Sequence, residues 1–461
     1  MFTNHNTNKV RILIVTLTLL SALSSCKKNL QVSPVGSIST QTAYSNATNI
    51  EASVNGIYYI LQQNGVIYNS YYNSVFPLLD DEAMTGNTTN LPTLQFASNQ
   101  LTIDNSIVAG LWQNNYQTIY QANMLLANVP GVNGLDGGKK NQWIGEARFL
   151  RAYCYFMLTR YFGKVPLATT TDYAVNNSLL RKDTATVNQF IISELEQAVK
   201  ELPNDYAAYN GSRTRACKQT AQALLAREYL YQGIWDKAEA NATSVISDNT
   251  FSMPTSLDNV VAPNSPESIW EIAFSTSVQN QTATLLVPVL SSPVVPAVLP
   301  SNKLIQSFEA GDLRKSKYMA FSPTPSPGFY YVNKFRDRTT FSDQPKILRL
   351  SEMYLIRAEA RAQQNNLAGA AADINVIRNR AGLQGTPAST QVQLLAAVMQ
   401  ERFVELCFEG HRWPDLIRTG QADAVLSIFK GSNWKTTDQL FPIPGVEIGN
   451  NANLNPQNPG Y

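Results

Sequence analysis

Residues 401–420 read ERFVELCFEGHRWPDLIRTG. Val398, Phe403, Val404, Leu406, Cys407 and Phe408 recur at helical spacing. Glu401, Glu405 and Glu409 stand four apart, which predicts one carboxylate stripe on the same helix. Gly410 predicts the end of that helix, and Pro414 suits the first turn of the next. Three carboxylates on one stripe repel unless cations answer them. Arg402, Arg412 and Arg418 lie nearby, and Arg349, Arg357 and Arg361 stand upstream. Two readings are open. One is a structural ion-pair corner built on Glu405, Glu409 and Arg412. The other is a carboxylate pair for acid–base chemistry. The structural corner is favoured.

Helical patterning extends outward from this stretch. Helices are predicted over 40–63, 104–128, 139–161, 184–201, 215–232, 235–247, 347–364 and 367–380. Pro130-Gly131, Phe162-Gly163, Leu202-Pro203 and Ala381-Gly382 are the stop signals. A threonine at 184 is the cap candidate for its helix. Residues 64–103 lack helical periodicity and hold Tyr68, Tyr71, Tyr72 and Asp80-Asp81-Glu82. A loop of that length inside a compact chain is usually functional. Residues 251–344 also break the pattern, with Pro- and Ser-rich runs and strand-like stretches at 268–274 and 329–335.

The 461 residues are 44% hydrophobic and 15% charged, a globular composition. A net charge of +2, with no Lys/Arg-dense run, argues against a nucleic-acid partner. Lys9 and Arg11 precede an apolar run at 12–23, too short to span a bilayer. Leu23-Ser24-Ser25-Cys26 follows and resembles a bacterial lipobox. Residues 1–25 therefore read as a lipoprotein signal peptide. Cys26 would become the acylated first residue, since two or more chains give stable anchoring. Residues 26–38 read as a tether.

With the signal removed, His411 is the one histidine left, so a second imidazole for zinc is missing. Cys154, Cys217 and Cys407 lack metal-ligand spacing and read as buried free thiols. No metal, cofactor or catalytic residue is expected. Asp81 with Glu82 is the loop pair that a glycosidase would need, and adjacent residues rarely face one cleft together.

Several runs carry family resemblances. AQALLAREYLYQGIWDKAEANATSVI resembles a tetratricopeptide helix pair. The corner stretch resembles the C-terminal hallmark of the SusD/RagB family, surface lipoproteins that capture glycans or peptides. LW…Y..IY.AN at 111–123, GEARFLRAYCYFMLTRYFGKVPL at 145–167, RLSEMYLIRAEARAQQNNLAGAAADINVIRNRAGL at 349–383 and the tail PIP…E…N.NL..QNPGY match it too.

The resemblance implies a mostly α fold. Tetratricopeptide-like helix pairs would form a superhelical body under an irregular, loop-rich and partly stranded cap. It divides the mature chain into a helical region, 39–250, and a C-terminal region, 251–461, that includes the insertion 251–344. It implies binding of an oligosaccharide or polysaccharide without catalysis. Delivery would be to a SusC-like TonB-dependent transporter, from a lipid anchor in the outer membrane. Capture of peptides, as by RagB-like members, is the rival.

Tyr68, Tyr71, Tyr72, Asp81, Asn87, Tyr330 and Tyr331 are candidates for the ligand face, because they stand in the two non-helical regions. Aromatic rings pack on sugar C–H faces, and amides and carboxylates read hydroxyls. Trp434 joins them as the tryptophan in a polar loop context. Two departures stand out. Starch-binding relatives carry tryptophans after the acidic pair, whereas 83–90 has no aromatic residue. Lys27-Lys28 follows the cysteine where some surface-exported lipoproteins carry acidic residues.

Overall fold

The computed structural model describes residues 39–461 except 64–66, 276 and 290–293. The signal peptide, Cys26 and the tether lie outside the described residues.

The body is a row of helices: α1 (Ala47–Ile60), α2 (Leu91–Ser98), α3 (Ser106–Asn128), α4 (Gly137–Phe162), α5 (Thr184–Glu201), α6 (Lys218–Tyr231), α7 (Trp235–Ile246), α8 (Leu350–Gln363), α9 (Leu367–Arg380), α10 (Gln391–Glu405), α11 (Arg412–Arg418) and α12 (Ala422–Lys430). Each packs on the next from α3 to α9, and α10 returns against α8 and α9. The pairs α6–α7 and α8–α9 are the tetratricopeptide-like units. Short strands complete the chain: β1 (Ala83–Thr85), β2 (Val165–Pro166), β3 (Arg181–Lys182), β4 (Ser268–Glu271), β5 (Val298–Pro300), β6 (Met319–Ser322), β7 (Phe329–Val332) and β8 (Lys346–Arg349). They form antiparallel two-stranded ladders, β1–β5, β2–β3, β4–β8 and β6–β7.

Helix α4 shows why the body holds together. The Asp136 carboxylate accepts from the Lys139 backbone N–H at 2.8 Å and caps its start. Gly163, at φ 68°, ends it. Residues 149–159 between them are all buried, so this helix meets neighbours on every side and sits inside the bundle. Phe149 and Tyr153 each meet the Trp270 ring of β4 edge-on at 4.9 Å. Cys154, Cys217 and Cys407 are buried free thiols.

Several boundaries differ from those read in the sequence. The 40–63 helix is broken: Asn46 caps a fresh start by accepting from the Asn49 N–H at 3.0 Å. Helix α5 begins at Thr184, but Asp183 is its cap, accepting from the Thr186 N–H at 2.8 Å. Residues 346–349 form a strand, because Lys346 and Leu348 pair with Glu271 and Trp270 of β4. That tertiary pairing overrides the helical reading from 347. Residues 91–98, expected to be irregular, are α2, capped by Asn90. The helix expected to run to Gly410 stops at Glu405. Phe408 takes φ 62°, a left-handed turn that no helix continues through.

Candidate functional site

The turn after α10 brings Glu405 and Glu409 together despite the broken helix. Arg349, at the end of β8, donates from Nε to Glu409 at 2.7 Å and from Nη1 to Glu405 at 2.7 Å. Arg380 of α9 joins Glu405 and, at 2.8 Å, Glu267. Arg314 reaches Glu401 at 2.8 Å. The Lys334 ammonium pairs with Glu409 and donates to the Glu405 carbonyl at 2.9 Å. All of these side chains are buried. Burial alone would raise the Glu405 carboxyl, but Arg380, Arg349 and Arg314 outweigh it and hold it well below the usual carboxylate range. Burial, with Arg227 and Arg402 nearby, keeps His411 neutral. Held ionised by its guanidinium partners, Glu405 is poorly suited to take up the proton that acid–base chemistry needs at neutral pH.

Arg412 does not join Glu405 and Glu409. It forms a bidentate pair with Asp81, 2.7 and 2.8 Å. Asp81 is fully buried, with Lys303 on its other side, so it cannot read a ligand. Burial raises its carboxyl, but Arg412 and Lys303 bring it below the usual value. Burial and the adjoining Asp81 charge push Asp80 up to about 8. Glu82 accepts from the Phe408 backbone N–H at 3.0 Å. The acidic triplet is thus a clamp that fastens β1 to the corner. Ser301 extends the clamp to β5, donating from its N–H to the Glu82 carbonyl at 2.8 Å.

The remaining candidates divide sharply. Tyr68 is buried, and its hydroxyl accepts from Tyr153 at 2.6 Å. Tyr72 is buried under Gly410; a Cβ there would sit 2.5 Å from its ring, which is why glycine stands at φ 75°. Trp434 is also buried, donating from Nε1 to Asp423 at 2.8 Å and meeting Trp413 at 5.9 Å. These three are core residues, not ligand contacts, because burial removes the ring faces a ligand would touch. Tyr71 is half-buried against the core.

Asn87 is exposed, two residues beyond the end of β1, with its N–H on the Pro296 carbonyl at 2.9 Å. Tyr330 is 40% exposed on β7, and Tyr331 turns inward, half-buried. The sequence reading missed Phe321. It is 52% exposed on β6, directly opposite Tyr330 in register, with ring centroids 5.1 Å apart and edge-to-face. Gly328, at φ 90°, closes this hairpin, and a Cβ there would lie 2.5 Å from the Phe321 ring. The legible signal was two strand-length runs flanking the turn-rich PTPSPG at 323–328. Strand β7 lies beside β5, so the hairpin joins the β1–β5 ladder in one cap. That cap presents an aromatic pair, an exposed Met84 and an exposed amide on a clamped backbone.

Known proteins bear on this arrangement. The model described as "SusD family" matches residues 301–461, and that described as "Starch-binding associating with outer membrane" matches 28–230. Together the two models span most of the chain, which is similar to the SusD/RagB family in both regions. SusD-like protein P2 of Formosa agariphila is 25% identical, over 97% of this chain and 99% of that protein. A solved laminarin binding SusD-like protein is 26% identical, with a TM-score of 0.79, covering 90% of this chain and 100% of its own. Surface glycan-binding protein A of Bacteroides uniformis shares the fold, with a TM-score of 0.79 and 20% identity, covering 89% of this chain and 99% of its own. Within this SusD-like fold most of the helical body comes from the two matched regions, whereas α7, β4, the start of the insertion and β5 fall between them.

Proposed function

We propose that this protein binds an oligosaccharide or polysaccharide on its cap and passes it, uncleaved, to a SusC-like TonB-dependent transporter of the outer membrane. The observation that carries this reading is the exposed Phe321–Tyr330 pair, presented on the same cap as Asn87. Two rings at this spacing suit the apolar faces of sugar units, and the amide suits their hydroxyls. Tyr331 supplies half-buried support from the same strand. The laminarin-binding relative favours glycan over peptide. Catalysis is disfavoured because Asp81, Glu405 and Glu409 are buried in ion pairs.

The test is affinity electrophoresis of the full chain, purified in detergent, through laminarin, starch, xylan and a casein-peptide control. At least one glycan retards the chain and stays intact. Retardation by peptides alone, or by none of the four, overturns the reading.

Anchoring is the second part of the proposal. Cys26, acylated after removal of residues 1–25, holds the protein to the outer membrane through the 26–38 tether, ahead of the regions 39–250 and 251–461. Cys26→Ala is expected to move the protein out of the membrane fraction or leave a longer precursor. Normal processing with unchanged fractionation contradicts it.

A further inference from the structure

Away from the cap, α3, residues 166–177 and the C-terminal residues 447–454 enclose a groove of about 450 Å³. Small-ligand sites occupy about 300–1,000 Å³. One stripe of α3 forms the floor, with Trp112 and Tyr116 4.9 Å apart as its base. Above them Tyr120 is 43% exposed, and Tyr173 on the facing wall is 78% exposed. Among the described residues, neither of these hydroxyls nor the Asn450 carboxamide has a hydrogen-bond partner.

The walls are set before any ligand arrives. Asn123 Nδ2 donates to the Ala168 and Thr170 carbonyls at 3.0 and 3.2 Å. The Asp172 carboxylate fixes the turn that carries Tyr173, accepting from the Ala174 N–H at 2.8 Å. Asn451 Nδ2 ties the C-terminal wall to the Leu179 carbonyl at 3.0 Å. A preformed groove loses little ordering entropy on binding.

Its charge is informative. Glu447 is the one carboxylate in the lining, already accepting from Gln113 at 3.1 Å, and no Lys or Arg lines it. Anionic ligands therefore find no counter-charge. A concave groove of this size also lacks the area, roughly 1,000 Å² or more, of a stable protein interface. Exposed rings with free hydroxyls and carboxamides fit a neutral sugar. We infer that this groove is a second saccharide site, built from residues separate from the cap and taking a short run of neutral sugar units. Two sites on one anchored chain hold a polymer more tightly than either alone.

The experiment titrates the full chain in detergent with laminarihexaose, maltohexaose and xylohexaose. A cap variant, Phe321→Ala with Tyr330→Ala, retains binding of at least one probe. Adding Tyr120→Ala and Tyr173→Ala to it weakens that binding by about tenfold or more, with the melting curve unchanged. The groove proposal is overturned if the cap variant alone binds nothing, if all four substitutions leave binding intact, or if no probe binds the wild type. It is also overturned if the groove substitutions spare every probe and instead release a co-purifying barrel. Normal binding by the cap variant, with loss on groove substitution in the wild type, keeps the groove and removes the cap.

Discussion

Arg349→Ala is expected to lower stability by about 3–5 kcal/mol, the cost of breaking a buried ion pair from one side. Arg349 answers Glu405, Glu409 and Glu267 at once, within 2.7–3.1 Å, so its loss leaves three buried carboxylates short of a partner. Urea titration of the full chain reads the effect, and saccharide affinity of the folded fraction stays unchanged. The pH dependence follows from Glu405. Its folded carboxyl is held below the ordinary value, so the stability it contributes is present above about pH 4.3. That contribution is lost as pH falls through the lowered folded value. The gap between wild type and Arg349→Ala therefore narrows on acidification. Lost binding at unchanged stability would mean the corner is a ligand site.

Removing both cap rings is the second large effect. A stacked ring contributes about 0.5–1.5 kcal/mol beyond its buried area. Phe321→Ala or Tyr330→Ala alone is expected to weaken saccharide binding at the cap about tenfold, and the pair about a hundredfold. Both rings are about half exposed, so the melting curve moves little. Tyr72→Ala provides the contrast. Its ring is buried under Gly410, so the variant loses about 3–5 kcal/mol of stability and no affinity. Normal binding by the double cap variant at every subsite would remove the cap from the account.

The helical body was largely legible because local signals specify it. Helix α9 and the span of α5 were read to the residue, since stop signals and capping chemistry lie within a few positions of their ends. The site was less legible, for two physical reasons. Asp81 looks like a ligand reader in a loop, but its partner Arg412 lies 331 residues away, and only the fold brings them together. Tyr68 and Tyr72 lack helical spacing yet are buried. An irregular segment can enter a core when its backbone is paired, as the Tyr72 N–H is with the Ile67 carbonyl. Tyr330 and Asn87, singled out for standing in the non-helical regions, are exposed because each lies close to a turn that meets water.

Hydrogen exchange of the full chain, with and without the hexasaccharide that binds best, tests most directly whether the ligand sits on the irregular cap. Slowed exchange is predicted at residues 83–90, 294–300 and 319–332, with α6 through α9 unchanged. Protection confined to the surfaces of α6–α9, with the cap exchanging as before, would contradict it.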